Sequence, residues 1–130
     1  MQDSIFTKII KGEIPSHKIY EDEYTFAFLD IHPIQPGHTL VVPKKQVEFL
    51  WDLDEETYLA LMKSVKKVGE RLKMVMGTAY VGLKVEGVEV PHVHVKVIPF
   101  NTTAEYENKP DMTAEPDHTV LRELASKIAF

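Results

Sequence analysis

Residues Pro91–Phe100 read PHVHVKVIPF. In an extended strand successive side chains alternate, so Val93, Val95 and Val97 share one face while His92, His94, Lys96 and Ile98 share the other. The valine face suits a core. The opposite face sets two imidazoles and an ammonium in a row, which admits three readings: a solvated sheet face, a metal site, or a cradle for an anion such as a phosphate.

Working outward, AYVGLKVEG (residues 79–87) predicts a strand that turns through Gly87 to Pro91 into this one. Upstream, HKIYE (17–21), YTFAFLDI (24–31) and HTLVVPK (38–44) are rich in β-branched and aromatic residues. Turn formers separate them at Glu21-Asp22-Glu23 and from Pro33 to Gly37, so they predict three strands, the first two a hairpin. Between the two groups, Tyr58, Leu61, Met62, Val65, Val68, Leu72 and Val75 recur at three- and four-residue spacing. Acidic residues Asp52, Asp54, Glu55 and Glu56 precede this run and Gly77 stops it, which predicts one long helix over about Asp54–Met76. Its other face, Lys63, Lys66, Lys67, Arg71 and Lys73, reads as solvated.

At the N-terminus Ser4 caps a short helical turn carrying Ile5, Phe6, Ile9 and Ile10, ended by Gly12 and kept from extending by Pro15. After Phe100, Pro110 and Pro116 precede a helix over Asp117–Lys127 that would dock through Val120, Leu121, Leu124 and Ile128. The expected fold class is α+β: a five-stranded, mostly antiparallel meander with one long helix on one face and a short N-terminal helix. Residues 1–100 form the domain and residues 101–130 a C-terminal tail of the same unit.

The chain has 130 residues, 44% hydrophobic and 27% charged, which suits one folded domain. It has no cysteine, which excludes disulfides, thiolate metal ligands and a cysteine nucleophile. Asp3 and Lys8 interrupt the first residues where a secretory signal needs an apolar stretch, and no apolar run approaches the length of a membrane span. The expectation is a cytoplasmic protein with no membrane partner. A formal net charge of −5 argues against nucleic acid as a partner, because backbone binding leaves a basic footprint. A small anion held by a few local cations remains compatible with that charge.

Four histidines fall in two places, His32 and His38 in IHPIQPGH and His92 and His94 in PHVHVKVIPF. A metal site needs a third or fourth ligand, and a lysine is a poor one near neutral pH, so no metal and no cofactor are expected. A phosphate asks less. A neutral imidazole lone pair attacks phosphorus while nearby positive charge balances the non-bridging oxygens. Alternation would let His92, His94 and Lys96 reach one phosphate group, with Lys96 disfavouring protonation of His94.

HVHVKVI resembles the signature of the histidine triad (HIT) family of nucleotide hydrolases and transferases, His-x-His-x-His followed by two apolar residues. The stretches IFTKIIKGEIPSHKIYED and FLDIHPIQPGHTLVVPKK, and the helix after DLDEE, resemble the same family in the same order from Ser4 to Phe100. The resemblance implies that His94 is the nucleophile, forming a nucleotidyl-histidine intermediate that water hydrolyses to a nucleoside monophosphate. It implies that His38 supports that imidazole, that His92 holds the first triad position and that Lys96 occupies the third. Asp30 would accept hydrogen bonds from the ribose hydroxyls, and Phe6, Ile9, Ile14, Phe28, Ile31 and Leu40 would surround the base. The implied ligand is a purine nucleotide, cleaved at a phosphoramidate or phosphoanhydride, and the implied assembly is a homodimer joined through the long helix and an adjoining strand.

Three positions depart from the family pattern. Lys96 replaces the last triad histidine and exchanges a group that titrates near neutral pH for a fixed charge. EGVEVPH puts Val88 and Glu89 where a Gly-Gln-Ser stretch often offers polar contacts, and Gln46 follows Pro43-Lys44-Lys45 where a histidine is frequent. The sequence therefore supports an enzyme of this class and, as the alternative, a nucleotide-binding sensor or interaction module of the same fold with impaired turnover.

Overall fold

The computed structural model describes residues 2–130. The chain runs through α1 (Ile5–Ile10), β1 (Lys18–Glu21), β2 (Thr25–Leu29), β3 (Thr39–Pro43), a 3-10 turn at Leu50–Asp52, α2 (Glu55–Met76), β4 (Tyr80–Val85), β5 (Val95–Phe100), α3 (Thr103–Tyr106) and α4 (His118–Ile128). The helix ends follow the capping residues. Ser4 Oγ accepts from the Thr7 amide at the start of α1, and Asp54 does the same for Thr57 at the start of α2. Glu55 and Glu56 add negative charge where the helix dipole is positive, and Gly77 closes α2 at φ 66°, a left-handed conformation that disfavours a side chain.

All pairings in the five-stranded sheet are antiparallel, but the order is β1-β2-β3-β5-β4. This corrects the expected meander. β3 and β4 run in the same direction, so they cannot be joined by a hairpin; α2 carries the chain across, and β5 returns into the gap between them. The most non-local strand of the sheet is thus the one that begins with the histidines.

Both sheet faces are covered over the central strands. Ala27, Leu29, Val41, Val95 and Val97 meet Leu61, Val65, Val68 and Leu72 of α2, with Leu121 and Ile128 of α4 completing the same core. On the opposite face Phe26, Phe28, Leu40 and Val42 pack under Phe6 of α1. Every residue of β2 and β3 is buried, which is why their sequences run TFAFL and TLVVP without apolar-polar alternation. The tail contributes to the first core: burying Leu121 and Ile128 stabilises by about 1.5–3 kcal/mol each.

The basic face of α2 does more than meet solvent. Arg71 Nε donates to the Ile128 carbonyl at 2.8 Å and its terminal nitrogen reaches the carbonyls of Lys127 and Ala129 at 3.3 Å, satisfying the open end of α4. α3, which the sequence reading missed, is a single turn closed by a Thr102–Glu105 capping box. It lays Tyr106 on Phe100 with ring centroids 4.4 Å apart and lets the Tyr106 hydroxyl donate to the Leu83 carbonyl at 2.7 Å.

Candidate active site

The histidine stretch enters the sheet at Val95, so His92 and His94 stand just before the hydrogen-bonded ladder. The His92 side chain is fully buried. Its Nε2 lies 2.7 Å from the Pro43 carbonyl, which can only accept, so Nε2 carries the proton. Nδ1 is then the acceptor, and the Ser4 hydroxyl donates to it across 2.7 Å. Burial pushes the His92 pKa down, opposed by the Pro43 hydrogen bond. With both ring nitrogens engaged inside the fold, His92 does not reach a shared phosphate as expected; its role lies in what it holds.

What it holds is His94. The His94 Nδ1–H donates to the His92 carbonyl at 2.9 Å, which leaves the lone pair on Nε2. Burial is the main cause that lowers the His94 pKa, the His92 carbonyl opposes it, and the positive charge of Lys96 lowers it further. The ring is therefore neutral near pH 7, with one nitrogen oriented and the other available. Phe6 fixes its plane, edge-on with centroids 5.0 Å apart.

Lys96 lies within β5, across from Leu40 on β3 and Lys84 on β4. Its ammonium sits 3.4 Å from Glu86, and the side chain as a whole is one-quarter exposed. Lys84 was not found from the sequence, although counting by twos along β4 and pairing β4 with β5 places it beside Lys96. Lys84 Nζ donates to the Tyr106 carbonyl at 2.6 Å and lies 4.4 Å from the centre of the Tyr106 ring. Val88 and Glu89 are both exposed on the connection between these strands.

Asp30 and His38 face each other at the far end of β2 and β3. The Ile34 amide donates to His38 Nδ1 at 3.2 Å, so Nε2 carries the proton; it lies 3.6 Å from Asp30 Oδ2, beyond hydrogen-bond reach, and has no partner among the described residues. Burial pushes the His38 pKa down to about 4, against the attraction of Asp30 and with help from Lys96. No hydrogen bond among the described residues links His38 to His94, so a supporting influence on His94 would be electrostatic. Asp30 Oδ1 accepts from the His32 amide at 2.8 Å, which leaves Oδ2 facing His38.

Of the expected base-binding residues, Phe6, Phe28 and Leu40 are gathered in the aromatic cluster over the sheet, with Ile9 packed against its rim. Ile14 is half-buried, and Ile31 is 41% exposed beside Asp30. An exposed Ile31 next to a half-buried carboxylate gives a site with an apolar side and a polar one. The tail reaches this end too: Ile31 and His38 share a cleft with Asp111, Pro116 and Val120. No group of three or more histidine or carboxylate side chains suited to a metal ion occurs among the described residues.

The HIT domain family matches residues 11–103 of the chain. An uncharacterized HIT-like protein of Borreliella burgdorferi is 42% identical over 106 residues, 76% of either chain. An adenosine 5'-monophosphoramidase of Saccharomyces cerevisiae is 40% identical over 96 residues, covering 73% of this chain and 61% of its own. Among solved structures, a Hit-like protein of Bartonella henselae superposes with a TM-score of 0.82 at 35% identity, over 97% of this chain and 94% of that one.

Proposed function

The chain belongs to the histidine triad (HIT) family, and from that premise we propose that it is a nucleotidyl hydrolase acting on purine nucleotides through a covalent intermediate on His94. The observation that carries this reading is the His94 Nδ1–H bond to the His92 carbonyl, which leaves Nε2 as the nucleophilic atom.

The nucleotide would lie with its base against Ile31 and the rim formed by Phe6, Ile9 and Ile14, above Phe28 and Leu40. Its ribose diol would sit between the Asp30 carboxylate, an acceptor, and the unpaired Nε2–H of His38, a donor. His94 Nε2 then attacks the α-phosphorus: the N–P bond forms, the P–N or P–O bond to the leaving group breaks, and that bond's electron pair departs with the leaving group, a leaving nitrogen taking a proton from solvent so that it departs as a neutral amine. Because Nδ1 keeps its proton, the phosphorylated ring carries positive charge, which the His92 carbonyl stabilises. Water next attacks phosphorus, the N–P bond breaks and the electron pair returns to Nε2. A nucleoside monophosphate leaves, and the proton lost by water passes to solvent.

Lys96 supports a second reading, a nucleotide sensor with impaired turnover, since a fixed ammonium cannot serve as a neutral acceptor. We also propose a cytoplasmic homodimer joined along β4, one of the two edge strands of the sheet, where Tyr80, Leu83 and Val85 are 58%, 46% and 43% exposed.

The experiment is AMP release from adenosine 5'-phosphoramidate and from a diadenosine polyphosphate, with His94→Ala and Lys96→His variants. The enzyme reading expects release that disappears in His94→Ala while AMP still binds. Release that persists in His94→Ala removes His94 as nucleophile, and release only in Lys96→His favours the sensor.

A further inference from the structure

We infer that Ser4, the N-cap of the short first helix, is a positioning residue for the nucleophile. It acts by holding His92 in the tautomer whose carbonyl and ring orient His94. The inference rests on the reading of His94 above and adds a residue that the mechanism itself does not use.

The Ser4 hydroxyl has two acceptors in reach, Thr7 Oγ1 at 3.2 Å and His92 Nδ1 at 2.7 Å, and the shorter contact fixes where its proton goes. The Pro43 carbonyl requires a proton on His92 Nε2, and the neutral ring then presents a lone pair at Nδ1. Ser4 Oγ is 2.7 Å from that lone pair, in a buried contact spanning 88 residues of sequence. The Ser4 hydroxyl must donate here, so it meets the Thr7 amide only as an acceptor, at 3.0 Å. The Thr7 hydroxyl in turn donates to Gln46 Oε1 at 2.7 Å, and the Ser4 amide donates to the same oxygen at 2.8 Å. Gln46 Nε2 completes the chain by donating to the Gln2 carbonyl at 2.9 Å. One end of this network is the segment after β3, and the other is the His92 imidazole.

Ser4 therefore does two things with one oxygen. As an acceptor it starts α1, which carries Phe6 against both His92 and His94. As a donor it satisfies the one nitrogen of His92 that the Pro43 carbonyl leaves open. Without the donor, His92 Nδ1 is a buried acceptor whose nearest remaining hydroxyl, Thr7 Oγ1, lies at 3.4 Å, and the ring can gain by taking a second proton or by turning. Either change moves the segment whose carbonyl holds the His94 Nδ1–H.

The two roles separate by substitution. Ser4→Thr keeps acceptor and donor; Ser4→Asp keeps the helix cap but has no proton to give; Ser4→Ala loses both. With adenosine 5'-phosphoramidate, the expected result is a kcat within about twofold of the parent for Ser4→Thr and about tenfold lower for Ser4→Asp and Ser4→Ala, with KM changed less than kcat. Nitrogen-15 correlation spectra of the imidazoles read the tautomers directly and need no turnover. They should show His92 protonated on Nε2 alone in the parent and in Ser4→Thr, and a doubly protonated or mixed His92 in Ser4→Asp, with a displaced His94 Nε2 resonance. Equal kcat for Ser4→Asp and Ser4→Thr, or an unmoved His94 resonance in Ser4→Asp, would overturn the inference and leave Ser4 a helix cap only. A parent protein without AMP release instead refutes the functional reading, and the spectra still decide whether Ser4 controls the His92–His94 pair.

Discussion

Acid should unfold this protein through its buried histidines, and His38 allows the effect to be sized. Its pKa is pushed from an ordinary 6.5 down to about 4 by burial. Between those values the unfolded chain binds a proton at this position and the folded chain does not, so unfolding is favoured as pH falls. The stabilisation is present above the ordinary value and is lost as pH falls through it toward the folded one. Going from pH 7 to pH 5, the two binding curves differ by about 2 kcal/mol for this group. His92 and His94 are shifted in the same direction and add to the loss. The perturbation that isolates His38 is His38→Asn, whose amide oxygen can accept from the Ile34 amide in place of Nδ1 but does not titrate. Urea unfolding of both proteins at pH 7 and pH 5 gives four free energies. The parent should lose about 2 kcal/mol more than the variant across that interval. Equal losses would refute the argument, because His38 would then have to be protonated in the folded state, paired with Asp30, rather than held neutral by burial.

Three other changes test separate parts of the structure. Asp30→Ala removes the carboxylate assigned to the ribose and should raise the AMP Kd about tenfold by calorimetry, the worth of a hydrogen bond to a charged group; an unchanged Kd removes Asp30 from the site. Leu121→Ala opens a cavity where α4 meets the core, a residue only 5% exposed, and should destabilise by about 2–4 kcal/mol in thermal or urea unfolding. A loss below about 0.5 kcal/mol would mean that the tail is not packed as described. Leu83→Glu puts charge on the open edge of β4 and should halve the mass seen by sedimentation; a parent that is already monomeric removes the edge as a dimer contact.

The sequence shows the elements more readily than their arrangement. The apolar spacing of α2, its acidic start and Gly77 are local signals, and the observed helix, Glu55–Met76, follows them closely. The strand order is not local: nothing in the residues between β3 and β5 states that β5 enters the sheet beside β3, and a meander satisfies the same alternation equally well. Lys84 was missed for that reason, since its nearness to Lys96 exists only once β4 is paired with β5 in a known register. Ser4 was read as a helix cap, which it is, but its second partner lies 88 residues away. His92 was placed on the reactive face by counting twos from His94, whereas the strand begins only at Val95 and the count does not hold before it.

That last departure explains where His94 sits. Inside an antiparallel ladder a strand carbonyl is taken by a neighbouring strand or directed at one, and an imidazole two residues on would have to compete for it. The pairings of β5 with β3 and with β4 both stop at Val95. The His92 carbonyl precedes that limit and is open to His94 Nδ1, while Val93 is tied back by donating its amide to the Val47 carbonyl at 2.8 Å. A His-x-His pair can therefore orient its own second imidazole just outside the ladder, where the backbone is held by packing and by side chains such as Ser4. Moved two residues into the strand, the same pair would lose the carbonyl to the sheet, and its Nδ1–H with it. The sheet supplies rigidity from Val95 onward, and the His94 imidazole occupies the last position before it.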